Sequence, residues 1–272
     1  MGTAATVPVG ANENAGYVAF GDDSQFKNTL AYAFAIVRRA RLRAIEGRIG
    51  VLKERFRIPK DMPLHCRVLF SGQQRQKAGL GRLTLKDVQS IVARVVTIMN
   101  QGPVLVRYSI GDLAEFGVAL GNEVEMQHES DGSTVKLPVK KDPKGFLGLL
   151  MQACFAVPPD GSQGPPASDC KIVVSEDSTM VEFIGPKRRR ADGMYSGFSD
   201  IGAPDGRVFQ LQPSIVPAAG QPLLQLADIA AYICSHSMDD SPENAFFREQ
   251  RDRFRYWSRS MLAANPALQP TR

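Results

Sequence analysis

The chain has 272 residues, an ordinary apolar share and a net charge of +5, which suits one large domain or two small ones with a sizeable core. No apolar run is long enough to span a bilayer, and the N-terminus lacks the basic start and apolar stretch of a secretion signal. The four cysteines (Cys66, Cys154, Cys170, Cys234) and three histidines (His65, His128, His236) are scattered without paired ligand spacing, so the expectation is a cytoplasmic protein with reduced thiols and no zinc motif.

Residues 1–14 are small, polar and aperiodic, and read as a mobile leader. Tyr17-Val18-Ala19-Phe20 is a short apolar strand, punctuated by Gly21-Asp22-Asp23-Ser24. Residues 29–37 form a second apolar run, which predicts a hairpin. Over 39–56, Leu42, Ile45, Ile49, Leu52 and Phe56 recur at steps of three and four and predict an amphipathic helix. Residues 64–70 read as a strand and 71–81 as a Gln-, Lys- and Gly-rich loop.

Thr84-Leu85-Lys86-Asp87 has the form of a capping box with Asp in place of Glu. The helix it opens carries Val88, Ile91, Val92, Val95 and Met99 and stops at Asn100-Gln101-Gly102-Pro103. A strand follows over 104–110, then a hairpin insertion within 114–141 turning at Asp131-Gly132, and a helix from Asp142-Pro143 to about Ala156. Residues 171–174 and 208–211 are strand-like, and Pro222 opens a helix ending near Ser237. The last helix starts at Ser241-Pro242-Glu243 and puts Phe247, Phe254, Trp257 and Met261 on one stripe, which leaves room for a homodimer contact. Alternating strands and helices predict an α/β domain over 15–262, with a mixed sheet flanked by helices and a frayed tail over 263–272.

Two acidic residues stand out. Asp22 follows an apolar strand, and Asp228 sits within the apolar helix Leu223-Leu224-Gln225-Leu226-Ala227-Asp228-Ile229-Ala230. A carboxylate among apolar neighbours costs free energy unless it meets a cation, donors or water. If folding brings the two together, they make a site for a hard divalent ion. Taken alone, Asp22 and Asp23 are ordinary turn chemistry; Asp228 on a half-buried helix face calls for a partner.

The Asp22-Asp23-Ser24 segment after its strand, with Leu224-Gln225-Leu226-Ala227-Asp228-Ile229-Ala230 near the end, resembles bacterial domain-of-unknown-function family 3800 over roughly residues 16–237. That family opens on Asp-Glu-Ser-Gly and closes on a Gln-x-x-Asp helix; here Asp23 stands for the Glu and Gln25 for the Gly. Leu64-His65 also falls where the family has a strand ending in Leu-His. The resemblance implies a ribonuclease H-like fold and a magnesium- or manganese-dependent nuclease, a hydrolase of phosphodiester bonds in DNA or RNA. It implies catalytic and metal-binding roles for Asp22 and Asp228, and favours the strand end Glu176 and Asp177 as the further acids; Asp112 is the rival on geometry, one strand spacing (about 4.8 Å) from Asp22 if the 104–110 strand neighbours the first. Asp23, Gln225 and His65 would support the ligands. A lone His beside Leu64 and Cys66 is otherwise a structural residue.

Arginines crowd 38–57 and 248–259, and Lys187, Arg188, Arg189 and Arg190 form a loop cluster near the proposed acids in sequence. A nucleic-acid backbone suits such charge, and the loop cluster is the expected nucleic-acid-binding segment; the helical arginines also fit a solvated helix face. The alternative is a non-catalytic module on the same fold, binding nucleic acid or protein, with the acids as caps and hydrogen-bond acceptors.

Overall fold

The structure is a computed structural model. It describes residues 6–9, 14–115, 123–127, 134–138, 143–156, 165, 169–175, 188–189, 195–196, 200–202, 208–211, 213–217, 221–255 and 257–261.

In chain order, β1 (Thr6–Val9) lies within the stretch read as a leader. It is followed by β2 (Tyr17–Phe26) and β3 (Thr29–Arg38). A short 3-10 turn leads into α1 (Leu42–Arg55), then α2 (Cys66–Phe70), α3 (Gly72–Lys77) and α4 (Leu85–Gln101). Next come β4 (Leu105–Asp112), β5 (Glu123–Gln127), β6 (Thr134–Pro138), α5 (Pro143–Ala156) and β7 (Cys170–Ser175). Short strands β8 (Arg188–Arg189), β9 (Tyr195–Ser196), β10 (Asp200–Gly202), β11 (Val208–Leu211) and β12 (Ser214–Val216) precede α6 (Leu224–His236), α7 (Ala245–Asp252) and β13 (Trp257–Met261).

The central sheet has six strands in the order β12-β7-β2-β3-β4-β13. β3 pairs antiparallel with both β2 and β4, whereas β7, β12 and β13 join parallel. The architecture is therefore α/β, a mixed sheet flanked by helices. Central β3 is buried on both faces from Leu30 to Val37, which its unbroken apolar run allows. On one face, Val18, Phe20, Ala31, Ala33 and Ala35 pack under α6, with α4 and α1 in the same core. On the other, Tyr32, Phe34 and Ile36 meet Phe146, Leu150 and Met151 of α5. Small strands β1, β11 and β10 form a separate sheet, and β8 pairs with β9.

Several sequence expectations hold. The α1 stripe buries Ile45, Ile49 and Leu52. The Thr84 capping box is complete: Asp87 Oδ2 accepts the Thr84 N–H at 2.9 Å and Thr84 Oγ1 accepts the Asp87 N–H at 3.2 Å. β5 and β6 pair antiparallel within the expected hairpin insertion; its Asp131-Gly132 turn lies outside the described residues.

Four expectations change. The 17–20 strand does not end at Gly21: its ladder with β3 runs on to Phe26↔Thr29, so Asp22 and Asp23 are strand residues and Lys27 (φ 54°) makes the turn. Residues 64–70 are not a strand, because Cys66 and Leu69 bury at helical spacing in α2. The 71–81 loop contains α3, whose Gln74 N–H donates to Ser71 Oγ at 3.3 Å. The final helix does not reach Met261. It ends at Asp252, and Asn100 at the end of α4 then holds the chain: its Nδ2 donates to Arg253 O at 2.8 Å and its Oδ1 accepts the Arg255 N–H at 2.9 Å. From there Trp257–Met261 pairs with the edge of β4 as β13.

No helix among the described residues is long and apolar enough to cross a membrane.

Candidate functional site

Side chains alternate along β2, so Phe20, Asp22, Ser24 and Phe26 share the face under α6. α6 is buried on nearly every side, Tyr232 being the exception, as expected for a helix apolar all round. Its polar residues meet β2 in sequence order: Ser235 Oγ lies 3.0 Å from Ser24 Oγ, and the His236 ring centroid is 4.1 Å from that of Phe26. At the hairpin tip Lys27 Nζ pairs with Asp239 at 2.7 Å. This alignment faces Asp22 with Asp228.

The two acids interact electrostatically. Burial, then Asp228, then Asp23 push the Asp22 carboxyl well above its ordinary range; the Asp23 N–H, donated to Asp22 Oδ1 at 2.9 Å, and His65 pull the other way. Like charges in a dry site disfavour ionisation, and a cation between them relieves both costs.

Asp228 is tied to the 64–66 segment. Its Oδ2 accepts the Cys66 N–H at 2.7 Å, and its Oδ1 lies 2.8 Å from His65 Nδ1. One turn earlier on α6, Gln225 Oε1 accepts the Leu64 N–H at 3.1 Å, while its Nε2 donates to Pro222 O. The Gln-x-x-Asp spacing thus places two acceptors on one helix face, and they hold the backbone N–H groups that precede and open α2. Pro222 lies in the turn before α6 rather than in its first turn.

His65 has the hydrogen-bond partner expected of a structural histidine, Asp228, yet 52% of its side chain is exposed. The hydrogen bond to Asp228 raises its pKa, partly opposed by burial.

These groups line a cleft of about 760 Å³ together with Asp23, Ser175, Arg67 and Lys27. Tyr232 and His236 also line it, stacked with ring centroids 3.8 Å apart; Phe70 covers the other face of Tyr232 at 5.3 Å. With both faces covered, the Tyr232 ring is a wall rather than a stacking platform. Burial pushes the His236 imidazole down to about 4, so it is neutral at physiological pH.

Asp112 is not part of this cleft. Across the ladders Asp22 faces Ala33, and Ala33 faces Tyr108, so Asp112 is two strand spacings away and four residues further along, about 10 Å and 13 Å in the two directions. Its Oδ1 instead accepts the Ala114 and Glu115 N–H groups at 2.7 and 3.2 Å. Glu176 and Asp177 lie outside the described residues, as do Lys187 and Arg190; Arg188 and Arg189 form β8. Ser175, directly before Glu176, lines the cleft, and β7 pairs with β2 up to Gly21↔Val174.

Among the described residues no three His, Cys, Asp or Glu side chains form a ready-made metal site. Asp22 and Asp228 nevertheless supply the carboxylate oxygens that Mg²⁺ or Mn²⁺ takes, usually one or two per ion with water completing the shell. All four cysteines are buried, and burial pushes the Cys66 and Cys154 thiols up and Cys170 to about 12, which removes them as nucleophiles.

Arg67 and Lys27 are site residues that sequence reasoning missed. Arg67 has a local signal, standing two positions after His65, whereas Lys27 reaches the cleft only because β2 extends to the hairpin tip. Comparison with family models, curated proteins and solved structures gives no match.

Proposed function

We propose that this chain is a divalent-cation-dependent nuclease of ribonuclease H-like fold, related to domain-of-unknown-function family 3800, that hydrolyses phosphodiester bonds of DNA or RNA. The observation that carries the reading is the meeting of Asp22 and Asp228 in one cleft, where burial first and the Asp228 charge second push the Asp22 carboxyl well above its ordinary range. Asp22 and Asp228 are the proposed ligands, and Glu176 or Asp177, next along the chain after the cleft residue Ser175, the proposed further acid. A bound Mg²⁺ or Mn²⁺ would lower the pKa of a water and offset phosphate charge.

The chain's own residues do the rest. Arg67 supplies positive charge along the cleft for the phosphates flanking the cut bond, and Lys27, paired with Asp239, stands at its hairpin end. Gln225 fixes the 64–66 segment, and with it the approach of His65 and Arg67. Asp23, next to Asp22 in β2, adds negative charge that deepens the cation site. The basic 187–190 segment is proposed to hold more of the strand.

The test uses purified protein, Mn²⁺, and end-labelled DNA and RNA oligonucleotides. Metal-dependent cutting that Asp22→Asn abolishes, with the metal-free melting temperature not lowered, supports the proposal; cutting unchanged by that substitution refutes it.

A second reading has its own observation. Both oxygens of Asp228 already meet protein donors, His65 and Cys66, as they would if the acid served as a helix cap in a non-catalytic binding module. Calorimetric titration with Mn²⁺ separates the two, since the module gives no heat.

A further inference from the structure

The two donors on Asp228 are unlike each other. The Cys66 N–H belongs to a buried backbone at the first turn of α2, braced one residue earlier by the Gln225–Leu64 hydrogen bond. It cannot leave without unwinding that turn. The His65 imidazole hangs on two rotatable bonds, is half-exposed and lines the open cleft. Asp22 and Asp228 line the same cleft. The His65 Nδ1, 2.8 Å from Asp228 Oδ1, occupies the carboxylate oxygen that faces the cleft side of the pair.

We propose that His65 is a displaceable stopper of the cation site. In the free chain its imidazole occupies Asp228 Oδ1; a divalent ion entering between Asp22 and Asp228 takes that oxygen, and the ring swings into the cleft. Cys66 keeps Oδ2, so the carboxylate holds its orientation while it changes partner. The inference rests on the proposal that Asp22 and Asp228 take a divalent ion. It goes beyond that proposal by assigning His65 a role opposed to ligation: the side chain competes with the ion instead of binding it.

The competition has a definite sign. A histidine that ligates the ion strengthens its binding, and one that merely lines the wall leaves binding unchanged. A stopper weakens it, so its removal tightens binding. A half-exposed hydrogen bond to a carboxylate is a modest competitor, and the expected gain is about three- to tenfold in Kd.

The experiment is isothermal titration calorimetry of the full chain with Mn²⁺ at one fixed pH. Wild type and Asp22→Asn come first. Heat in wild type that Asp22→Asn loses establishes the underlying cation site; its absence removes that site, and the stopper with it. With the site established, His65→Ala is expected to bind Mn²⁺ more tightly than wild type. His65→Asn places an amide N–H near the position of Nδ1 and is expected to restore a Kd close to wild type. Equal or weaker binding in His65→Ala overturns the stopper role while leaving the cation site standing. His65→Ser, which also lacks the reach to Asp228, carries the same expectation and keeps the test decisive if the alanine variant fails to fold.

Discussion

Asp228 receives the Cys66 backbone N–H at 2.7 Å, so a carboxylate on a late helix caps a short helix more than 160 residues earlier in the chain. This contact makes Asp228 structural whatever else it does. Asp228→Ala leaves a buried N–H without its partner and is expected to lower stability by about 1–3 kcal/mol. Asp228→Asn keeps an acceptor oxygen and is expected to cost less. Urea unfolding monitored by circular dichroism checks the order; equal losses in the two variants would contradict the capping role.

Asp22 carries the opposite expectation. Its carboxyl is raised by burial and by two acidic neighbours, so the folded chain holds that proton more tightly than the unfolded one. Below about pH 3.9, the ordinary Asp value, the group is protonated in both states and has no effect. As pH rises from there towards the folded value, the unfolded state ionises first and stability falls; above the folded value the loss is constant. Asp22→Asn is therefore expected to stabilise the metal-free chain at neutral pH, by about 1 kcal/mol or more, with the advantage vanishing near pH 3.5. Paired melting curves across pH 3.5–8 measure this, and a variant less stable than wild type at pH 7 rejects it.

Gly21 has no room for a side chain. A Cβ there would lie 2.6 Å from the Phe34 ring and 2.8 Å from the Tyr32 hydroxyl. Gly21→Ala forces those buried rings to move and is expected to cost about 1–3 kcal/mol. Asp22 is the next residue, so the same variant is expected to weaken Mn²⁺ binding. A melting curve superimposable on that of wild type would mean that the rings yield freely.

The Tyr32 hydroxyl is fully buried without a hydrogen-bond partner among the described residues. An unpaired buried hydroxyl costs about 1–3 kcal/mol, so Tyr32→Phe is expected to leave stability unchanged or raise it. A clear drop in melting temperature would show that the hydroxyl has found an acceptor in solution.

Local pattern made much of this architecture legible. The run 29–37 reads as the second strand of a hairpin, with a helix the alternative for so Ala-rich a run, and the α4 capping box and stripe specify a helix without reference to the rest of the chain. Asp228 could be singled out because an acid amid Leu226, Ala227, Ile229 and Ala230 needs a partner.

The partner itself was decided in three dimensions. Gly21-Asp22-Asp23-Ser24 has turn composition, yet the ladder with β3 continues through it, since each added pair satisfies backbone groups that a turn would leave exposed. Residues 64–70 have strand composition, but Gln225 and Asp228 reach across and take the N–H groups of Leu64 and Cys66, and that favours a helix start. Trp257 to Met261 carries a helical stripe and becomes a strand because β4 offers an open edge once Asn100 has fixed the residues before it. Periodicity and capping act within a few residues, so the sequence by itself determined the strands over 29–38 and 105–112, the helices α1 and α4, and the one acid that called for company. Backbone groups seeking partners act across the whole chain, and only the tertiary structure decided that this company is Asp22, His65 and the first turn of α2.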